Sequence, residues 1–145
     1  MYQPCRTHRT VASRAVSNAS DAIRTLSIAT DEGSIECVVL ACVDARRMPL
    51  TLFVFDGRPR LDDDLETAVE AVLAAAAAVD SPLAAIFLGS SRPGAEPGPT
   101  PADERRWRRL VDLCGDAGID LLDWLLLSDG ATCSVAEGLD PGPGW

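Results

Sequence analysis

The run "LAAIFLG", Leu83 to Gly89, is apolar at every position that carries a side chain. A strand of this kind has no face to give to water, so it reads as the middle of a sheet covered on both sides. The rest of the chain supplies neighbours for it. "SIECVVLACVD" and "MPLTLFVFDG" are β-rich runs separated by the polar turn Asp44 to Arg47, the pattern of an antiparallel pair. "IDLLDWLLLSDGATCSVAE" gives two more strands joined around Asp129-Gly130, a strong hairpin signal. From Val11 to Leu26, Ala12, Ala15, Val16, Ala19, Ala22 and Ile23 recur at helical spacing, and Gly33 stops the segment.

Asp62, Asp63 and Asp64 suit a helix N-terminus ahead of "LETAVEAVLAAAAAV", whose alanine run predicts close packing against a sheet. A further helix runs from about Pro101 to Gly115. The expected order is helix, two strands, helix, strand, helix, two strands. That order implies an α/β (α+β) domain of two or three layers, with a mixed sheet flanked by helices. Residues 1–33 read as an N-terminal helix and lead-in, 34–138 as the domain proper, and 139–145 as a flexible tail.

A chain of 145 residues, 47% hydrophobic, is long enough for a real core. Charge narrows the function: 13 arginines and no lysine stand against 22 acidic residues, a net of -9 that disfavours a general phosphate-binding surface. Cys5, Cys37, Cys42, Cys114 and Cys133 include no C-x-x-C pair and are odd in number. Neither a zinc ribbon nor a closed disulfide framework is indicated, and a reduced cytoplasm is the simplest compartment. Cys37 and Cys42, an odd number of residues apart, are expected on opposite faces of a strand. Cys37, Cys42, Cys114 and Cys133 read as core residues. The longest apolar run, Ala71 to Val79, is too short to span a bilayer, and no apolar segment follows Arg6, Arg9 and Arg14.

The loop after the buried strand carries the chemistry. Thr100-Pro101-Ala102-Asp103 is a capping-box pattern with proline at the first helical position, worth about 1 kcal/mol to the helix start. Counted from Ser90, Arg92, Thr100 and Asp103 fall at offsets of two, ten and thirteen. This spacing resembles the H-x-H-x7-S-x2-D metal motif of the JAMM (JAB/MPN) domain, and in particular its RadC branch, whose loop reads H-N-H-P-S-G-D-P-T-P-S-x-x-D. The string here is S-S-R-P-G-A-E-P-G-P-T-P-A-D, without a gap, in which Pro93, Pro97, Pro99 and Asp103 match and Thr100 replaces serine.

"AGIDLLDWLLLSDG" is similar to the branch's A-G-I-x-L-L-D-H-x-I-V-G segment, with Trp124 in place of histidine. "IECVVLACVDARRMPLTLFVFDG" resembles its opening strand pair and makes Glu36 the match to the family's catalytic glutamate. The resemblance covers about Ile35 to Glu137. It implies a cytidine-deaminase-like fold, a zinc held by two histidines and an aspartate in active members, and isopeptidase action on ubiquitin-like conjugates. Metal-free members of the wider family act as scaffolding partners in complexes.

Here Ser90 and Arg92 stand where the histidines would be. A serine hydroxyl is a poor zinc ligand, and a guanidinium offers no lone pair while repelling a dication. His8 is the only histidine and lies far upstream. No cofactor is therefore expected, and Asp103 is the one retained ligand. Without a metal, Asp103 and Glu36 need a counter-charge, and Arg92 is expected to pair with one of them; an Arg92 turned to solvent is the alternative. Glu36 itself is as well read as an outward-facing polar residue.

Arg105, Arg106, Arg108 and Arg109 span roughly 160 degrees of one helix surface, the one basic patch. It reads as a solvated face or a surface for an acidic partner. A nucleic-acid contact is the alternative, given the historical association of RadC proteins with DNA repair. Three functions follow: a catalytically inactive scaffold that meets a protein partner or forms a homodimer, a zinc metallopeptidase with an atypical site of Asp103, Glu36 and Ser90, or a nucleic-acid contact through the arginine helix. None requires a membrane.

Overall fold

The computed structural model describes residues 15, 16, 18, 21–23, 37–56, 64–92, 98–128 and 131–138, together with the backbone of 5–8. Its strands are β1 (Cys5–His8), β2 (Cys37–Asp44), β3 (Pro49–Asp56), β4 (Leu83–Ser91), β5 (Asp120–Ser128) and β6 (Ala131–Ser134); its helices are α1 (Asp64–Ala78) and α2 (Pro101–Asp116). All six strands join one mixed sheet in the order β1-β3-β2-β4-β5-β6. β2 is antiparallel to both β3 and β4, whereas β4 and β5 run parallel with α2 as the crossover that parallel pairing requires.

Leu83–Gly89 falls within β4 at the middle of this sheet, as its two apolar faces demand. On one face Ile86 and Leu88 meet Leu65 and Val69 of α1 and Trp107, Leu110 and Cys114 of α2. On the other, Ala85 and Phe87 lie with Val39, Leu52 and Val54, closed over by Val16 and Ala22. Burying side chains of this size contributes about 1.5–3 kcal/mol each. Cys42 belongs to the first cluster and Cys37 to the second, on opposite faces as their spacing requires. Cys37, Cys42 and Cys114 are buried, while Cys133 is half-buried at the edge of the first cluster.

Three features depart from the sequence reading. The N-terminal stretch supplies an edge strand, β1, antiparallel to β3. Residues 15 and 16 are not helical, and the chain bends at Asn18. The Val16 amide is instead drawn to the Arg47 carbonyl at 2.8 Å, while residues 21–23 are helical and Asn18 Oδ1 accepts from the Asp21 amide at 2.9 Å. Val16, Ala22 and Ile23 of this stretch seal the second face; Ala12, Ala19 and Leu26 lie outside the described residues.

The alanine run of α1 is the third departure, because Ala71, Ala74, Ala75, Ala77 and Ala78 are exposed. Alanine has the strongest intrinsic helix preference, so the run holds the helix without needing the sheet. α2 passes through Gly115 and ends at Asp116, with Gly118 at φ 71 closing it in the left-handed conformation. No described helix is long and apolar enough to cross a membrane.

Candidate functional site

Ser90 and Arg92 are two residues apart at the end of β4, so they continue the face that Ile86 and Leu88 present to the helices. α2 begins directly above that strand end. Thr100 is its N-cap: Thr100 Oγ1 accepts from the Asp103 amide at 3.2 Å, and Asp103 Oδ2 accepts from the Thr100 amide at 2.8 Å. The capping box expected from the sequence is formed, with Pro101 at the first helical turn. It also fixes the Asp103 carboxylate over the strand end.

Arg92 meets that carboxylate with a two-pronged hydrogen bond. Nη1 donates to Oδ2 and Nη2 to Oδ1, both at 2.8 Å. This parallel geometry is the strongest form of ion pair available to arginine. The Asp103 side chain is 3% exposed and that of Arg92 18%, so little water screens the pair. Burial by itself raises the Asp103 carboxyl, but the Arg92 hydrogen bonds and charge, with the Thr100 amide and hydroxyl, outweigh it and hold the group below the usual carboxylate range.

The same guanidinium lies 5.8 Å from the centroid of the Trp124 ring, within cation–π reach. Trp124 Nε1 donates to Ser90 Oγ at 2.9 Å, and both residues are 1% exposed. Ser90, Trp124, Arg92, Asp103 and Thr100 are thereby joined in one chain of contacts. Trp124 reaches the helix side through a bulge in β5: Ile86 pairs with Leu121 but Leu88 with Trp124, so two residues of β4 face three of β5. The bulge is held by Asp123, whose Oδ1 accepts from the Trp124 amide and the Ser134 hydroxyl, each at 2.7 Å.

These residues do not fit a zinc ion. Of the three positions that the metal motif would use, only Asp103 is a competent ligand, and both its oxygens already accept from a cation fixed 2.8 Å away. Ser90 Oγ is committed to an indole donor, and a dication placed beside Arg92 meets a fixed positive charge. Glu36, Pro93 and Pro97 lie outside the described residues, as does the side chain of His8. Nucleophilic chemistry finds no better footing in the buried thiols, since burial pushes Cys42 and Cys114 each up to about 12.

The arginine helix is arranged differently from the cluster. Arg105, Arg108 and Arg109 are exposed and Arg106 is half-buried; Asp112 and Asp116 continue the same exposed stripe. Arg109 reaches back to Glu66 of α1 at 3.5 Å. Asp123 and Glu66 carry roles that sequence reasoning missed; the signal for Asp123 was a lone carboxylate inside the apolar run "LLDWLLL".

The Ser90–Trp124 bond is a structural requirement with a measurable size. Ser90→Ala leaves the buried indole N–H without its acceptor and is expected to lower stability by about 1–3 kcal/mol in urea unfolding. Ser90→Ala combined with Trp124→Phe, which removes the stranded donor, is expected to cost less than the sum of the two single changes. Strict additivity would show that the bond carries no coupling.

A scan against protein-family models finds none that matches this chain, and a search of curated proteins likewise finds no match.

Proposed function

We propose that this chain is a metal-free, RadC-like JAB/MPN domain that works as a protein-binding or scaffold module. The observation that carries the reading is the Arg92–Asp103 pair. Where the motif it resembles calls for imidazole, this site supplies a cation seated on the one remaining carboxylate and braced against Trp124. Such a cluster satisfies itself. It offers no imidazole nitrogen to a metal and no activated nucleophile, both of which metal-assisted hydrolysis at such a motif requires. The mixed sheet with α1 and α2 on one face is compatible with a cytidine-deaminase-like architecture, and the buried thiols of Cys42 and Cys114 suit a reducing, cytoplasmic compartment.

The metallopeptidase reading, built on Asp103, Glu36 and Ser90, has too few strong ligands, since only Asp103 of the three motif positions is a competent one. Nucleic-acid contact through α2 also has less support, because Arg109 already answers Glu66 and the exposed stripe turns acidic at Asp112 and Asp116. The deciding experiment is metal content by elemental mass spectrometry after zinc loading and dialysis, on the protein and on Asp103→Ala. Zinc at no more than trace level in both is expected. One equivalent retained by the protein and lost in Asp103→Ala overturns the proposal in favour of the enzyme.

A further inference from the structure

α2 turns a charged face to solvent. Asp103, Trp107, Leu110 and Cys114 are its buried residues, so at 100 degrees per residue Arg105, Arg108, Asp112 and Asp116 fall on the opposite side, and all four are exposed. The charges on this face are sorted. The exposed charged residues of its N-terminal half are all arginine, and those of its C-terminal half are all aspartate. Arg109, on the same face, is drawn aside by Glu66 of α1. Among the described residues, no ion pair engages the other four.

This order works against the helix that carries it. The C-terminal end of a helix is its negative pole, yet Asp116 lies in the last turn, which holds no basic residue. Arg108 and Asp112 are one turn apart with the arginine first, the less favourable order for such a pair. A solvated helix would not select this pattern for its own stability.

Reversed end to end, the pattern is complementary to itself. Arg105 and Asp116 lie equally far on either side of a point between Leu110 and Val111, and Arg108 and Asp112 equally far on either side of Leu110. The two centres differ by half a residue, under about 1 Å along the axis. A second α2 laid antiparallel across this centre sets its Asp116 beside Arg105 and its Asp112 beside Arg108, and two-fold symmetry makes each contact twice. Parallel pairing would set arginine on arginine. The antiparallel arrangement also places the Asp116 end of each helix along the N-terminal half of the other, where the dipole favours a carboxylate. Gly115 leaves open space beside Asp116 for the long side chain of the facing Arg105.

Charge selects a second copy over other occupants. A uniformly acidic partner would meet Asp112 and Asp116, and a uniformly basic one Arg105 and Arg108. The net charge of -9 on each copy is repulsive, but at physiological ionic strength it is screened beyond about 8 Å, while pairs in contact are screened less. We propose that two copies of this chain associate through α2, antiparallel about a two-fold axis near Leu110, held by reciprocal Arg105–Asp116 and Arg108–Asp112 pairs. Exposed ion pairs contribute little singly, and one helix pair is a small contact, so the dimer is weak and transient. The inference rests on the binding-module reading and names the partner as this chain itself.

The test is sedimentation equilibrium of the full chain at physiological salt, from about 10 μM to 1 mM, the range of weak complexes. A monomer–dimer equilibrium is expected. Arg105→Asp with Arg108→Asp makes the face wholly acidic, and Asp112→Arg with Asp116→Arg makes it wholly basic; each double variant is expected to dimerise at least tenfold more weakly. All four substitutions together reverse the pattern without changing composition or net charge, and are expected to restore association. The positions are exposed and the new charges suit the helix poles, so the variants are expected to fold, with circular dichroism as the check.

A chain that stays monomeric throughout this range overturns the proposal. A dimer that the double variants leave unchanged, or that the fourfold reversal fails to restore, overturns it too by placing the contact elsewhere. Zinc content measured on the same preparation keeps the two inferences separate: a zinc-free monomer removes the α2 assignment alone, and retained zinc in a chain that dimerises as expected removes the metal-free reading alone.

Discussion

Arg92→Leu is expected to lower stability by about 3 kcal/mol at pH 7, the lower end for breaking a buried ion pair, because Arg92 keeps 18% exposure. The loss comes from Asp103, which stays buried with its charge and loses two of the hydrogen bonds that compensate it. Its pH dependence identifies the cause. Asp103 titrates below its ordinary value of about 3.9 in the folded protein, so the pair's contribution is fully present above pH about 4 and fades as the pH falls through the lower, folded value.

In Arg92→Leu the desolvation of Asp103 remains and its compensation is reduced, so its carboxyl is expected to shift upward. Urea unfolding of both proteins at pH 7 and pH 3 should therefore show a gap that narrows in acid. A gap of equal size at both pH values would assign the loss to packing against Trp124 rather than to charge. Replacing the pair by Met and Asn together is expected to cost less than Arg92→Leu alone, since no bare carboxylate is left buried.

The second large effect is a gain. Ser90→His with Arg92→His is expected to raise zinc retention from trace to about one equivalent per chain, with Asp103 as third ligand and water completing a tetrahedral site. The geometry behind this is the alternation of a strand: positions 90 and 92 project to the same side, toward the carboxylate that the capping box holds in place. Imidazole at position 90 also replaces the hydroxyl that accepts from Trp124, and the added bulk beside that ring is expected to cost about 1–3 kcal/mol without metal. Zinc should return part of that stability, visible as a melting temperature that rises with added zinc. Asp103→Ala in the double variant must abolish the gain. Zinc bound equally well without Asp103 would place the metal elsewhere and count against the JAB-like reading of the loop.

Much of the architecture was legible in the sequence because its signals are local. Leu83–Gly89 could only be a central strand, the Asp44–Arg47 turn set two β-rich runs antiparallel, and Thr100-Pro101-Ala102-Asp103 fixed the start of α2 to the residue. Each rests on a periodicity or on a side chain bonding its own backbone a few positions away, which chain order alone determines. The same holds for the chemical content of the site. A hydroxyl and a guanidinium are poor metal donors wherever those residues end up, so that much of the site's chemistry follows from residue identity alone.

What only the tertiary structure decided were the pairings between distant segments. Whether Arg92 met Asp103 or turned to water depended on how β4 sits beneath the first turn of α2, and the bulge at Asp123 that carries Trp124 to the helix side has no periodic signature. The same reason explains residues 15 and 16, which are not helical, and the alanine run, which is helical as its spacing predicts but is largely exposed. Periodicity says which residues share a face; it does not say whether another element covers that face. Val16 found a sheet to seal without becoming helical, and Ala71 and Ala75 lie on a helix face that no other described element covers.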